Sequence, residues 1–169
     1  EYPAADGEHV PFELTFLVNG DNKFKVAAAE EIALSMRTIG INVELKKYGW
    51  DEYMTKLEHG NFDMYYGDVS LPADYDLSPL LTPGGLINYG HAGNETYGHY
   101  IEAFLAATDD ASAREAARQL CVYAYDDAAI IPVLYRQYAV PTNRNTVNGL
   151  TPSQSSIFYD FMDWTISLS

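Results

Sequence analysis

Apolar and polar positions alternate in a regular order over the first 67 residues. FELTFLV, from Phe12 to Val18, is a short apolar run broken only by Glu13 and Thr15, and it predicts a buried strand. NGDN (Asn19 to Asn22) predicts a turn whose Asp21 or Asn22 caps a helix. From Lys23 to Ile39 the residues Phe24, Ala28, Ile32, Met36 and Ile39 recur at helical spacing, and Gly40 follows as a stop. INVELKK (Ile41 to Lys47) predicts a second strand. Trp50, Tyr53, Met54 and Leu57 then share one face of a helix whose first turn holds Asp51 and Glu52, and Gly60 ends it. FDMYYG (Phe62 to Gly67) predicts a third strand. Strand, helix, strand, helix, strand is the signature of parallel strands joined by helical crossovers. The fold class expected is therefore α/β, with a mixed, mainly parallel sheet flanked by helices.

The order changes after Gly67. Asp68 to Gly93 is rich in Pro and Gly and has no clear period beyond a short helix at Leu77 to Leu81. Loops of that length in a compact domain are usually functional or mobile. Helices follow at Tyr97 to Thr108 and Ser112 to Tyr125, the second capped by Asp109 or Asp110. Strands are predicted at Ile130 to Tyr135, with Pro132 marking an edge or bulge, and at Phe161 to Ser167. Tyr138 to Pro141 is a possible continuation or partner of the first of these. Residues 1–12 read as a linker, and 13–169 as a single α/β domain.

Composition narrows the function. The 169 residues carry 24 Asp+Glu against 10 Lys+Arg, a net charge of −14. Such an acidic chain lacks the cationic footprint that nucleic acid or an anionic membrane requires. Cys121 is alone, which excludes an internal disulfide and a Cys-based zinc site; flanked by Leu120 and Val122, it is expected to be buried. No apolar run is long enough for a membrane-spanning helix, and no secretory signal opens the chain. Its opening residues read as an entry into the middle of a longer protein.

The search for chemistry is mostly negative. G-x-G-x-x-G, G-x-x-x-x-G-K-[ST] and G-x-S-x-G are all missing. His91 and His99 flank a Gly-containing loop and form no helical ligand pair, so no metal site and no cofactor are expected. Asp63, Asp68, Asp74 and Asp76 cluster near the third strand. Paired carboxylates in a cleft can do acid/base work on a sugar, which makes a carbohydrate-active enzyme using Asp68 and Asp74 one alternative. A sensor or regulatory ligand domain is another. Fold logic favours binding: ligands of open α/β sheets lie beyond the carboxyl ends of the strands. The third strand and the segment after it carry Tyr65, Tyr66, Gly67, Asp68, Ser70, Leu71, Asp74 and Tyr75, which are the candidate ligand-binding residues.

The same residues carry a family resemblance. SMRTIGI (Ser35 to Ile41), VEL (Val43 to Leu45), WDEY (Trp50 to Tyr53) and FDMYYG occur in the order and spacing typical of one family. REAARQLCVYAYDDAAIIPVLYRQY and NGLTPSQS continue the match downstream. From about Leu14 to Ile166 the chain resembles the C-terminal lobe of the family 5 extracellular solute-binding proteins, the peptide- and nickel-type binding proteins of ABC importers. The resemblance implies one lobe of a type II periplasmic-binding-protein fold, cut from a longer two-lobed chain. It implies no enzymatic activity. Its partners would be a peptide or other small-molecule ligand, the N-terminal lobe of the same protein and the ABC-transporter membrane subunits, with no nucleic acid. Its location would be extracytoplasmic, periplasmic or lipid-anchored at the outer face of the cell membrane. Asp74 and Tyr75 match the family's D-Y, whose Asp grips a peptide ammonium, and Gly67 matches the glycine that ends the strand. The family's Trp in this segment is replaced by Asp68 or Val69, and the segment is longer. Gly67 to Pro72 would offer main-chain groups to an extended ligand.

Overall fold

A computed structural model describes residues 2–3, 9–10, 12–91, 94–135, 139–142, 146–153 and 156–167. The chain divides into two compact units. The first comprises Glu1–Ser70 and Ser78–Gly98, the second Leu71–Leu77 and His99–Ser169.

The first unit opens with a two-residue antiparallel pair, β1 (Tyr2–Pro3) with β2 (His9–Val10). The expected alternation follows: β3 (Glu13–Asn19), α1 (Lys23–Thr38), β4 (Asn42–Tyr48), α2 (Trp50–His59) and β5 (Met64–Tyr66). The three longer strands form a sheet in the order β4-β3-β5, every neighbour parallel. Its register pairs Phe16 with Leu45 and Met64, and Val18 with Lys47 and Tyr66.

The central position of β3 explains its continuous apolar run, since both of its faces are covered. Phe16 and Val18 point to one face, where they pack with Ala29 and Ala33 of α1 and Val43 of β4. Leu17 points to the other, where it meets Tyr53 and Leu57 of α2. The α1 stripe is narrower than its spacing predicts. Ala28, Ile32 and Met36 are partly buried, whereas Phe24 and Ile39 at its two ends are exposed. The small Ala29 and Ala33 form the buried centre and let the helix approach the sheet closely. Gly40 and Gly60 take the positive φ that follows a helix end, and Asn22 proves to be the cap of α1. A one-turn helix α3 (Ser78–Leu81) buries Leu81, and Tyr97 is the largest fully buried side chain of this unit.

Helix α4 (Glu95–Leu105) runs from the first unit into the second, and α5 (Asp110–Asp127) follows. Within the second unit Ile101, Ala116 and Leu120 are buried. Asp109 caps α5 by accepting from the backbone N–H groups of Ala111 and Ser112, both at 2.9 Å.

Three expectations fail in the second unit. Cys121 is exposed, because it lies off the α5 face formed by Ala116 and Leu120. Residues 130–135 form no strand: Ile131, Val133, Leu134 and Tyr135 are exposed, and apolar β-branched residues make a strand only where a partner accepts their hydrogen bonds. Its expected continuation over 138–141 lies partly outside the described residues. The closing strand shrinks to β7 (Thr165–Ile166), antiparallel to β6 (Val147–Asn148), after a 3-10 turn at Phe161–Asp163. No helix among the described residues is long and apolar enough to cross a membrane.

Candidate ligand-binding site

The carboxyl edge of the parallel sheet is built from the exits of β3, β4 and β5. At the β3 exit, Asn19 is only 8% exposed, and its Oδ1 accepts from the Asp21 N–H at 3.0 Å. The Gly20 N–H donates to the Tyr48 carbonyl at 2.7 Å, tying the β3 and β4 exits together. A Cβ on Gly20 would stand 3.2 Å from that oxygen, so the approach suits glycine. Asp21 reaches across to α2, where its Oδ2 accepts from the Trp50 N–H at 2.8 Å. Helix α2 starts after Gly49, which has no side chain to cap it, and Asp21 supplies the missing acceptor from another loop. Trp50 itself is half exposed, with its ring centroid 6.2 Å from that of Tyr53.

The β5 exit holds the residues singled out in the sequence. The Tyr65 ring meets Phe62 edge-on at 5.4 Å, and burial, followed by the neighbouring Tyr89, pushes its phenol pKa up. The Tyr66 carbonyl accepts from the Tyr53 hydroxyl at 3.0 Å. Burial raises the Tyr53 pKa strongly, with smaller contributions from Tyr65, Asp68 and Tyr89. Gly67 lies against the Tyr65 ring, where an added Cβ would stand 2.9 Å from a ring carbon. Asp68 pairs with Lys25 at 2.5 Å. Tyr65, Tyr66, Gly67 and Asp68 thus come together at one edge, and Ser70 ends this part of the first unit.

Leu71, Asp74 and Tyr75 belong to the second unit. Leu71 is half-buried, and Asp74 and Tyr75 are exposed. A turn organises them: the Tyr75 N–H donates to the Pro72 carbonyl at 3.0 Å, and the Asp76 N–H to Asp74 Oδ1 at 3.2 Å. Tyr75 has a positive φ of 57°.

Other acids and histidines are placed elsewhere. Asp63 sits at the amino end of β5, where its Oδ2 accepts from the Thr15 N–H at 2.7 Å and its own N–H donates to the Thr15 carbonyl at 3.1 Å. It braces the sheet at the end opposite the carboxyl edge. His99 lies on α4, not in a loop, and His91 is exposed. Among the described residues no three His, Cys, Asp or Glu side chains form a group that could hold a metal. From the sequence, Asp21 is only a candidate cap for α1, and Lys25 and the Tyr53 hydroxyl have no place at this edge; the structure gives the α1 cap to Asn22 and turns Asp21 to α2. NGDN directly after a buried strand was a usable signal for Asp21, since strand-to-helix loops at this edge carry function.

No protein-family model matches the chain, and a search of curated proteins returned no significant match. Solved structures do match. The oligopeptide-binding protein AppA from Bacillus subtilis, solved with a nonapeptide, is 16% identical over 96% of this chain and 33% of its own, with a TM-score of 0.62. NikZ from Campylobacter jejuni, solved with Ni(L-His), is 12% identical over 97% of this chain and 36% of its own, at 0.69. A periplasmic oligopeptide-binding protein of an ABC transporter from Thermotoga maritima is 23% identical over 75% of this chain and 25% of its own, at 0.65. The parallel sheet flanked by helices matches the fold of the corresponding part of these structures. The chain spans between a quarter and just over a third of the length of these three proteins. Two of the three are named as oligopeptide-binding proteins and the third holds a nickel–histidine complex, and these structures lend no support to the carbohydrate-active alternative.

Proposed function

We propose that this chain is the ligand-binding lobe of an extracytoplasmic solute-binding protein that delivers a small solute, a peptide foremost, to an ABC importer. In this reading residues 13–169, drawn from both compact units, form the one lobe, and residues 1–12 lead into it. Tyr65, Tyr66, Gly67, Asp68 and Ser70 are the ligand contacts proposed for the first unit, and Leu71, Asp74 and Tyr75 those proposed for the second. The N-terminal lobe of the same protein supplies the other wall. Hinge closure around the solute creates the form that the membrane subunits recognise, and only contacts that differ between open and closed states drive it. The protein binds its solute and does not transform it. Its place is the periplasm or, with a lipid anchor, the outer face of the cell membrane.

One observation carries this reading: the carboxyl edge of a parallel sheet with this fold ends in Tyr65, Tyr66, Gly67 and Asp68, where ligands of open α/β sheets bind. Native mass spectrometry of the full-length protein, purified without denaturant, tests it. A co-purifying small solute, exchangeable for added peptides and recovered unchanged, is the expected result. A ligand-free protein that shows no calorimetric heat with a mixed tripeptide library, or one that cleaves what it binds, overturns it.

A further inference from the structure

Helix α1 begins against the usual charge rule. The N-terminus of a helix carries partial positive charge and favours acids in its first turn. Helices α2 and α5 obey, with Asp51 and Glu52 in one and Asp110 in the other. The first turn of α1 has no acid and holds Lys23 and Lys25 instead. Lys25 is also deeply placed, its side chain only 11% exposed. Its stem is covered while its ammonium, next to the positive end of a helix, meets a partial charge of its own sign that a nearby anion offsets. Asp68 is that anion, at 2.5 Å from two residues past β5, and the carboxylate itself is 77% exposed. Departures from a local rule mark places where something besides helix stability is served.

The residues just before Asp68 are fixed by independent means. The Tyr53 hydroxyl holds the Tyr66 carbonyl, and Gly67 rests on the Tyr65 ring. Asp68 is the last of three successive anchored positions, and the only one of the three held by charge. We propose that Lys25 is a positioning residue: through Asp68 it fixes the exit of β5 and holds Gly67–Ser70 in shape before any ligand arrives. Its purpose rests on the ligand-binding reading above, but the ordering itself requires no ligand.

Backbone 15N relaxation on the unliganded 169-residue chain tests this. In the wild type, the order parameters of residues 67–70 should lie near the rigid value of about 0.85. In Lys25→Met, which keeps the stem and removes the charge, they should fall below about 0.6 with α1 and β3 unchanged. Asp68→Asn should give the same local loss, and it serves alone should Lys25→Met not fold. The exchanged pair Lys25→Glu with Asp68→Lys should restore order, which a loss of packing alone would not allow. Order parameters unchanged in the single variants, or lowered equally across α1 and β3, overturn the proposal. Because no ligand enters the measurement, that failure would leave the solute-binding reading standing, and a failed solute search would leave this result standing.

Discussion

The Tyr53 hydroxyl donates to the Tyr66 backbone carbonyl at 3.0 Å. That bond ties the inner face of α2 to the last residue of β5. Tyr53 also packs with Leu17 and Leu57, so one side chain serves both the core and the carboxyl edge of the sheet. Trp50, one turn earlier on the same helix, leaves half its surface in solvent.

Removing only the hydroxyl isolates the second role. Tyr53→Phe keeps the ring in the core and takes the donor from a half-buried carbonyl. Such an unmet acceptor costs about 1–3 kcal/mol. Urea unfolding should show a lower midpoint with an unchanged slope. An unchanged midpoint would mean that water replaces the hydroxyl without cost.

The same burial makes the protein sensitive to alkali. Tyr53 and Tyr65 both have pKa values raised chiefly by desolvation. Their contribution to stability is complete below about pH 10, where the phenols of the unfolded chain are still protonated. Above that pH the unfolded phenols ionise while the folded ones do not, so stability falls as pH rises toward the folded values. Urea midpoints measured from pH 9 to about 11.5 should decline, and Tyr53→Phe should decline less steeply than the wild type.

At the acid end the sign reverses. Hydrogen bonds from Ser112, backbone first, hold the Asp109 pKa below its ordinary value. The side-chain bonds from Arg118 and Gln119 bring Glu115 to about 2. Both contributions are present above about pH 4 and are lost as pH falls through the depressed folded values. Both groups are fully exposed, so salt should weaken the effect. Asp109→Asn keeps a capping oxygen and removes the titration. Its melting temperature should match the wild type at pH 7 and vary less between pH 4 and pH 2.

Asp74 is the carboxylate proposed to meet a cationic end of the solute. It also accepts from the Asp76 N–H, so two variants are needed to separate the roles. Asp74→Asn keeps the turn and removes the charge. Asp74→Ala removes both. Calorimetry on the full-length protein should show Asp74→Asn binding a peptide weaker by about 1–3 kcal/mol, the worth of a charge-assisted bond. Equal affinity in Asp74→Asn and wild type would confine Asp74 to shaping the turn.

How far the sequence carries depends on what each residue answers to. From Glu13 to Tyr66 every element expected is present, with ends displaced by a residue or two, because local period and global packing agree there. Phe24 misled the α1 face because it lies in the first turn, beyond the stretch that Ala29 and Ala33 press onto the sheet. IIPVLY misled because composition says what a strand is made of and nothing about whether a partner strand is present. At the carboxyl edge of the sheet the residue types were legible from 65 to 68. Lys25 was not, since its meaning comes from Asp68, 43 positions away. The Tyr53 hydroxyl was hidden behind its apolar ring, which the helical period had already assigned to the core.

Gly67 offers the most local test of the edge. An alanine there would bring its Cβ to 2.9 Å from the Tyr65 ring, closer than side chains pack. That ring also packs edge-on against Phe62, so moving it disturbs a second contact. Gly67→Ala should therefore displace Tyr65 and destabilise the chain by about 1–3 kcal/mol, the usual cost of overpacking. The cause is checked by a double-mutant cycle. In a Tyr65→Ala background the obstructing ring is gone, so Gly67→Ala should become nearly neutral there, and the coupling between the two sites should account for most of the single-variant loss. A loss of the same size in both backgrounds would place the cost in the backbone of Gly67 and not in its contact with Tyr65.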